Sequence, residues 1–174
     1  MRVVSGPRIL LSRKQIKQAI AELAAQVRKD YQGKELVLIG ILKGSFVFMA
    51  DLMRELDIPV EVDFVKASSY GSGKQSSGKV HIVHGLKTPI KSKDVLLVED
   101  IVDTGLTISV IMDYLRKRNP ASLKLCALTD KPSRRKIPVT IDYLGFTVPD
   151  KFIVGYGIDC DEKYRELCDI CCLD

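Results

Sequence analysis

Two adjacent carboxylates and the short loop that follows them are the residues best suited to chemistry in this 174-residue chain. Glu99 and Asp100 come directly after the apolar run Val95–Val98, and the loop DTGLT begins one apolar pair later, at Asp103. A loop of this composition that opens a helix offers backbone N–H groups and hydroxyls to a phosphate dianion. Two acids beside a phosphate-binding loop therefore indicate a sugar phosphate bound together with a divalent cation.

The elements around this segment predict where it lies in the fold. An apolar strand without alternation is typical of a parallel sheet covered on both faces, and open α/β sheets bind ligands at the carboxyl ends of their strands. We predict further strands at residues 35–42, 60–66, 80–83 and 123–128 and in the segments IDYLGFTV and FIVGYGID. Helices are predicted after the capping box Ser12–Gln15, over FVFMADLMREL, after Gly105 and in the short tail DEKYREL.

Strands and helices alternate through the centre of the chain, which predicts an α/β fold. We expect a central, mostly parallel, twisted sheet flanked by helices, with a small lobe made from both chain ends. The length and the absence of a recognisable linker predict a single domain over residues 1–174.

Composition excludes several classes of function. The net charge of +5 favours an anionic ligand, but without an arginine-rich stripe we expect no nucleic-acid partner. We expect no membrane association, because there is no apolar run of transmembrane length and no secretory leader. Five cysteines, an odd number, predict reduced thiols and a cytoplasmic location. Cys168, Cys171 and Cys172 resemble half a zinc site without a fourth ligand, and we predict a partly packed tail.

Five ordered motifs carry a resemblance that covers the chain from about Val3 to Leu167. They are LKGS at 42–45, ASSYGSG at 67–73, VLLVEDIVDTGLT at 95–107, TDKPSRR at 129–135 and PDKFIVGYGID at 149–159. In these motifs the sequence resembles the type I phosphoribosyltransferases, specifically the hypoxanthine-guanine phosphoribosyltransferases of purine salvage. The resemblance implies that family's fold, with its small hood lobe. It also implies transfer of the 5-phosphoribosyl group from phosphoribosyl pyrophosphate to hypoxanthine or guanine, giving IMP or GMP and pyrophosphate, with Mg²⁺ as cofactor.

The resemblance also implies a role for each matching residue. Asp103 is the catalytic general base or acid, while Glu99 and Asp100 face the ribose and the metal. The 5′-phosphate is bound by the loop residues Asp103, Thr104, Gly105, Leu106 and Thr107. Pyrophosphate is bound by Leu42, Lys43 and Gly44, with a cis peptide between the first two, and by Arg165.

Four residues are implied at the purine. Lys131 donates to the 6-oxo group, Phe152 stacks on the base and the Ile153 backbone reads the ring edge. Asp159 contacts the base edge or ligates a second metal ion. Ser69 and Tyr70 belong to a polar Gly- and Ser-rich loop that we expect to act as a flexible lid, because the reacting sugar must be shielded from water.

Simpler interpretations stay open for several of these residues. Asp103 or Thr104 caps a helix, Lys43 is a surface lysine, Phe152 and Ile153 pack in a core, and Arg165 pairs along a helix with Asp161. Two other functions also remain, namely a regulatory nucleotide-binding protein without turnover and a xanthine-preferring enzyme. By the family's habit we expect a homodimer or homotetramer.

Overall fold

A six-stranded sheet forms the centre of the protein in a computed structural model that describes residues 6–69 and 80–173. In chain order the elements are β1 (Arg8–Leu11), α1 (Arg13–Tyr31), β2 (Leu36–Ile41), α2 (Phe46–Leu56), β3 (Val60–Ser69), β4 (Val80–His84), β5 (Asp94–Val102), α3 (Leu106–Arg116), β6 (Ser122–Asp130), a 3₁₀ turn (Pro132–Arg134), β7 (Tyr143–Thr147), β8 (Phe152–Val154) and β9 (Ile170–Leu173). The order across the sheet is β4-β3-β2-β5-β6-β7. All neighbours pair in parallel except the edge strand β4, which confirms the predicted mostly parallel sheet.

Alternation along the buried strands divides the core into two layers. In β5, Leu96 and Val98 pack with α1 and α2 on one face of the sheet, while Val95 and Leu97 pack with α3 on the other. Successive side chains of a strand point to opposite faces, so a run that is apolar at every position fills both layers. The predicted capping box at the start of α1 is present, with the Ser12 and Gln15 side chains bonded to each other's backbone.

A second, three-stranded antiparallel sheet, ordered β1-β9-β8, forms the small lobe that we predicted from both chain ends. Its central strand is the cysteine-containing tail, in which Cys171 and Cys172 are buried free thiols. Ile153 and Ile170 belong to the core layer that contains α1 and α2. The lobe therefore packs on the face of the main sheet that these two helices cover. Whether the whole chain folds as one domain stays a prediction.

Two local predictions are wrong. Glu99 and Asp100 do not end their strand, because β5 continues to Val102 and pairs there with Asp130 of β6. The tail DEKYREL is a series of turns instead of a helix, since Asp161, Glu162 and Tyr164 all have positive φ. The helical pairing of Asp161 with Arg165 is therefore wrong as well. Within residues 6–69 and 80–173, no helix has the length and apolarity needed to cross a membrane.

Candidate active site

Three segments that are distant in sequence meet at the carboxyl edge of the main sheet. The loop after β2 lies against β5 so closely that a Cβ on Gly44 would be 2.1 Å from Oδ2 of Asp100. The segment after β8 covers the same loop, because a Cβ on Gly157 would be 2.3 Å from the Gly44 carbonyl oxygen. The structure thus brings the predicted pyrophosphate loop into contact with the predicted ribose-facing acids.

The acidic pair is enclosed, and one oxygen of Glu99 has no hydrogen-bond partner within the described residues. Asp100 is only 5% exposed, and the Thr129 hydroxyl donates to its backbone carbonyl at 2.8 Å. Oε2 of Glu99 is buried and accepts no hydrogen bond from the described part of the chain. Burial raises the pKa of Glu99 well above its usual range, and the neighbouring Asp100 charge adds to this. Burial also raises the pKa of Asp100, against the opposing effects of hydrogen bonds from Glu99 and from backbone N–H groups.

The loop after β5 presents an uncapped helix start. Gly105 is the N-cap residue of α3, with φ of 83°, and no side chain caps the helix there. The interpretation that Asp103 or Thr104 occupies the N-cap position is therefore wrong, although the Thr104 hydroxyl accepts the Leu106 N–H at 3.4 Å. A Cβ on Gly105 would be 2.4 Å from the Ile137 carbonyl oxygen, so both the space and the backbone conformation favour glycine. Backbone N–H groups in such a first turn are free to bind an anion.

Asp103 lies at the start of this loop with an incompletely satisfied carboxylate. Its Oδ1 atom is buried and has no hydrogen bond within the described residues, yet the Arg134 Nε atom lies 3.3 Å away. The distance defines an ion pair, whereas the orientation does not make a hydrogen bond. Because Oδ1 is buried while the Asp103 side chain as a whole is 39% exposed, Oδ2 is the oxygen that an incoming group can reach.

Two cations of the predicted pyrophosphate site, Lys43 and Arg165, pair with the same acid, Glu162. The Leu42–Lys43 peptide is cis, as the resemblance implied. Lys43 Nζ pairs with Oε2 of Glu162 at 2.9 Å, and Arg165 Nη2 reaches the same oxygen at 3.1 Å. Arg165 is further held by Asp159 at 2.9 Å and by the Gly157 carbonyl at 2.7 Å. These ion pairs lower the pKa of Glu162, chiefly through Lys43 and then through Arg165.

Two of the residues predicted at the purine follow β6 and begin β8, and one hydrogen bond joins these two segments. Lys131 is 5% exposed and donates from Nζ to the Lys151 carbonyl oxygen at 2.7 Å. Phe152 is 55% exposed, so the alternative of core packing is wrong for this ring, whereas the Ile153 side chain is buried. The hydrogen bond to Lys151 thus ties the buried Lys131 to the residue that precedes the exposed Phe152 ring.

The donor set is suited to a hard divalent cation only in part. No group of three or more His, Cys, Asp or Glu side chains in the described ranges is arranged to hold a metal. Asp159 faces Arg165, which leaves Glu99 and Asp100 as the free acids. An enclosed carboxyl oxygen without a partner, next to a second buried carboxylate, fits Mg²⁺, which takes few protein ligands and completes its shell with water and substrate oxygens.

Some residues of the site were missed or lie outside the described residues. Glu162, which bridges Lys43 and Arg165, was missed, whereas Arg134 and Arg135 beside the Asp103 loop belong to a basic cluster that was interpreted as a solvated loop. A pair of arginines in a polar loop gives no periodic signal that could have identified them. Ser69 is the last residue of β3, and Tyr70 lies outside the described residues, so the lid stays a prediction.

Comparison with known proteins decides the family. The family model of the phosphoribosyl transferase domain matches residues 9–161. This chain belongs to the phosphoribosyltransferase family. The hypoxanthine phosphoribosyltransferase of Salmonella typhimurium is 50% identical over 161 residues, which cover 91% of this chain and 90% of the relative. The hypoxanthine-guanine phosphoribosyltransferase of Staphylococcus aureus is 46% identical over 159 residues, covering 91% and 89%.

Solved structures agree with this assignment. A crystal structure of a hypoxanthine phosphoribosyltransferase from Staphylococcus aureus superposes with a TM-score of 0.91 at 46% identity, covering 96% of this chain and 91% of that one. The resemblance to the hypoxanthine-guanine phosphoribosyltransferases and the predicted type I phosphoribosyltransferase fold are confirmed.

Proposed function

We propose that this phosphoribosyltransferase transfers the 5-phosphoribosyl group from phosphoribosyl pyrophosphate to hypoxanthine or guanine, releasing pyrophosphate. The observation that carries the proposal is the contact of Gly44 with the enclosed acid Asp100 beside the uncapped start of α3. A pyrophosphate loop, a ribose-facing acid pair and a phosphate-binding helix start are thereby within the span of one donor molecule. The names of the relatives support the same substrates.

The donor is expected to lie along this edge with its three anionic or hydroxyl parts on separate segments. The 5′-phosphate binds the N–H groups and hydroxyls of residues 104–107, and the ribose hydroxyls face Glu99 and Asp100. Pyrophosphate binds the backbone of residues 42–44 and the Arg165 guanidinium, which is positioned by Gly157 and Asp159. Arginine suits this role because its fork of donors matches phosphate oxygens.

We propose Mg²⁺ as the cofactor. Glu99 and Asp100 are the residues that would hold it, and Asp159 remains a candidate for a second ion. Mg²⁺ bound with the donor would neutralise charge that develops on the leaving pyrophosphate.

Asp103 is proposed to move the proton. As the purine N9 forms its bond to C1′ of the ribose, the bond from C1′ to the pyrophosphate oxygen breaks and its electron pair leaves with pyrophosphate. The proton of the imidazole ring passes to the Asp103 carboxylate, whose side chain is 39% exposed. General base catalysis of this type contributes about 10²–10⁴-fold.

Lys131 is proposed to select the base. Its buried ammonium donates to a 6-oxo group and repels the 6-amino group of adenine, which is itself a donor. Phe152 stacks on the base, the Ile153 backbone reads its edge, and the lid at Ser69 and Tyr70 closes over the reacting sugar.

A homodimer or homotetramer and a cytoplasmic location stay predictions. Sedimentation would test the oligomeric state.

A steady-state assay tests the proposal. The protein is given Mg²⁺, phosphoribosyl pyrophosphate and, in turn, hypoxanthine, guanine, xanthine, adenine or orotate. We expect turnover with hypoxanthine or guanine and little with adenine. Absence of turnover with every oxopurine contradicts the proposal and favours a regulatory protein, a preference for xanthine selects the xanthine-specific alternative, and a preference for adenine overturns the role of Lys131.

A further inference from the structure

Arg134 is a charged residue beside Asp103 to which the proposed mechanism gives no task. Its Nε atom lies 3.3 Å from Oδ1 of Asp103, and its Nη1 atom lies 3.9 Å from Oδ1 of Asp150. Asp150 precedes Lys151, whose carbonyl oxygen binds the Lys131 ammonium. One guanidinium thus connects the proposed proton carrier with the loop that positions the proposed base-selecting lysine.

The backbone around Arg134 is fixed against the Asp103 loop. Arg135 donates from Nε to the Asp103 carbonyl oxygen at 3.0 Å and pairs through Nη2 with Asp130. The N–H groups of Lys136 and Ile137 both bond to the Thr104 carbonyl oxygen, at 2.9 and 3.1 Å. These contacts hold the 3₁₀ turn in place, so the backbone of Arg134 is fixed within reach of Asp103.

We propose that Arg134 is a positioning residue that holds the Asp103 carboxylate, as its ion, in the orientation that accepts the proton of the purine imidazole ring. The geometry assigns this task to Arg134 instead of Arg135. Arg135 contacts the backbone carbonyl of Asp103, and its guanidinium forms an ion pair with Asp130. The contact of Arg134 with the buried Oδ1 fixes one side of the carboxylate, which leaves Oδ2 directed outward to accept the proton. This inference rests on the proposed function.

A double-mutant cycle tests the proposal. We expect Arg134→Gln to lower kcat with hypoxanthine about tenfold, because a small misplacement of a reacting group is costly in rate. The KM for phosphoribosyl pyrophosphate should stay within about twofold, since its binding residues are untouched. In an Asp103→Asn background the same change should cost less than about twofold, because the partner carboxylate is gone. Equal losses in both backgrounds would show a merely structural role and overturn the proposal.

Conservative and matched variants complete the design. Arg134→Lys keeps the charge and should restore kcat to within about threefold of the wild type. Arg116→Gln is the control, because Arg116 pairs with Asp113 at 2.8 Å on α3 with similar exposure and should leave all constants unchanged. Asp150→Asn should lower kcat no more than about twofold, and a loss as large as that of Arg134→Gln would overturn the assignment to Asp103.

The outcomes also separate this inference from the proposed function. An inactive wild type contradicts the proposed function itself. An active wild type with an equally active Arg134→Gln variant contradicts only the positioning role. Melting temperatures of all variants should agree within about 2 °C, since a half-exposed ion pair contributes little to stability.

Discussion

Polar side chains gather at both ends of the same parallel sheet, and the two groups differ in whether they satisfy one another. At the amino end, Lys124 donates to Asp30 and to the Tyr143 hydroxyl, both at 3.1 Å, and that hydroxyl donates to Asp30 at 2.5 Å. At the carboxyl end, Glu99 and Asp103 each carry a buried oxygen that accepts no hydrogen bond from any described residue. The acid at the amino end is hydrogen-bonded, although the hydroxyl of Tyr31, whose ring lies under Lys124, is buried without a hydrogen bond from the described residues. We call the amino-end cluster closed and the carboxyl-end cluster open, because within the described ranges only at the carboxyl end do carboxylates keep a buried oxygen without a hydrogen bond.

The difference also appears in the acids themselves. The hydrogen bond from Tyr143, helped by Lys124, lowers the pKa of Asp30, so the folded protein favours its ionised form. Burial raises the pKa of Glu99, so the folded protein disfavours its ionised form. A buried charge without a partner is costly, and such sites are typically completed by a ligand. This difference supports the proposal that the open end binds a cation and phosphates, while the closed end contributes to stability.

Asp103→Asn tests most strongly whether the open end serves activity and not stability. An amide of the same shape cannot accept the purine proton, so we expect kcat with hypoxanthine to fall by about 10²–10⁴-fold. The melting temperature should stay within about 2 °C, because Asp103 contributes little to the fold. Steady-state kinetics and thermal denaturation check the two halves, and an unaltered kcat would remove Asp103 from the mechanism.

Gly44→Ala tests whether the close approach to the acid pair matters. The new Cβ would overlap Oδ2 of Asp100 at 2.1 Å, so either the loop or the carboxylate must move. We expect a loss in kcat/KM of about 10²-fold and a destabilisation of about 1–3 kcal/mol. Gly6→Ala is the matched control, because nothing lies within 4 Å of a Cβ there. A Gly44→Ala variant with wild-type kinetics would contradict the proposed contact between loop and acids.

Glu99→Gln should trade activity for stability. The unfolded chain releases the Glu99 proton near the ordinary value of 4.5, whereas the folded protein retains it to higher pH. The unfolded state then binds fewer protons, so wild-type stability falls as pH rises above that value, and a glutamine avoids the loss. Thermal denaturation without metal should show the variant gaining over the wild type between about pH 4 and pH 8. The same difference in melting temperature between variant and wild type at both pH values would contradict the raised pKa of Glu99.

Tyr143→Phe should have the smallest effect of the four substitutions, and it should lower stability without lowering activity. It removes a hydroxyl from the closed cluster, which should lower the melting temperature by about 2–4 °C for the loss of its two hydrogen bonds, to Asp30 and from Lys124. The kinetic constants should match those of the wild type, because the cluster lies at the far end of the sheet. A change in kcat/KM without a change in melting temperature would reverse the roles assigned to the two ends.

Much of the open end could be predicted from the sequence, because its chemistry lies in short contiguous motifs. The apolar run Val95–Val98 and the loop from Asp103 to Thr107 predict a strand, a turn and the start of a helix within thirteen residues. The capping box at Ser12 likewise fixes the start of α1 through neighbours in sequence. Local patterns of this type are read reliably because the residues that interact are adjacent in the chain.

Contacts between distant segments could not be predicted. β1 and β9 pair across almost the whole chain, and a four-residue apolar run does not specify its partner. Glu162 bridges Lys43 and Arg165 only because it adopts a positive φ, which neither its residue type nor its neighbours require. The same turn ended the predicted helical tail. Arg134 faces Asp103 because backbone bonds from Lys136 and Ile137 hold the turn there.

The most direct test measures the change in melting temperature on adding phosphoribosyl pyrophosphate with Mg²⁺. A ligand that binds only the folded protein stabilises it according to its concentration and affinity. The wild type and Tyr143→Phe should show the same increase, whereas Glu99→Gln should lose at least about half of it. An equal increase in all three proteins, or a loss confined to Tyr143→Phe, would contradict the assignment of the ligand to the open end of the sheet.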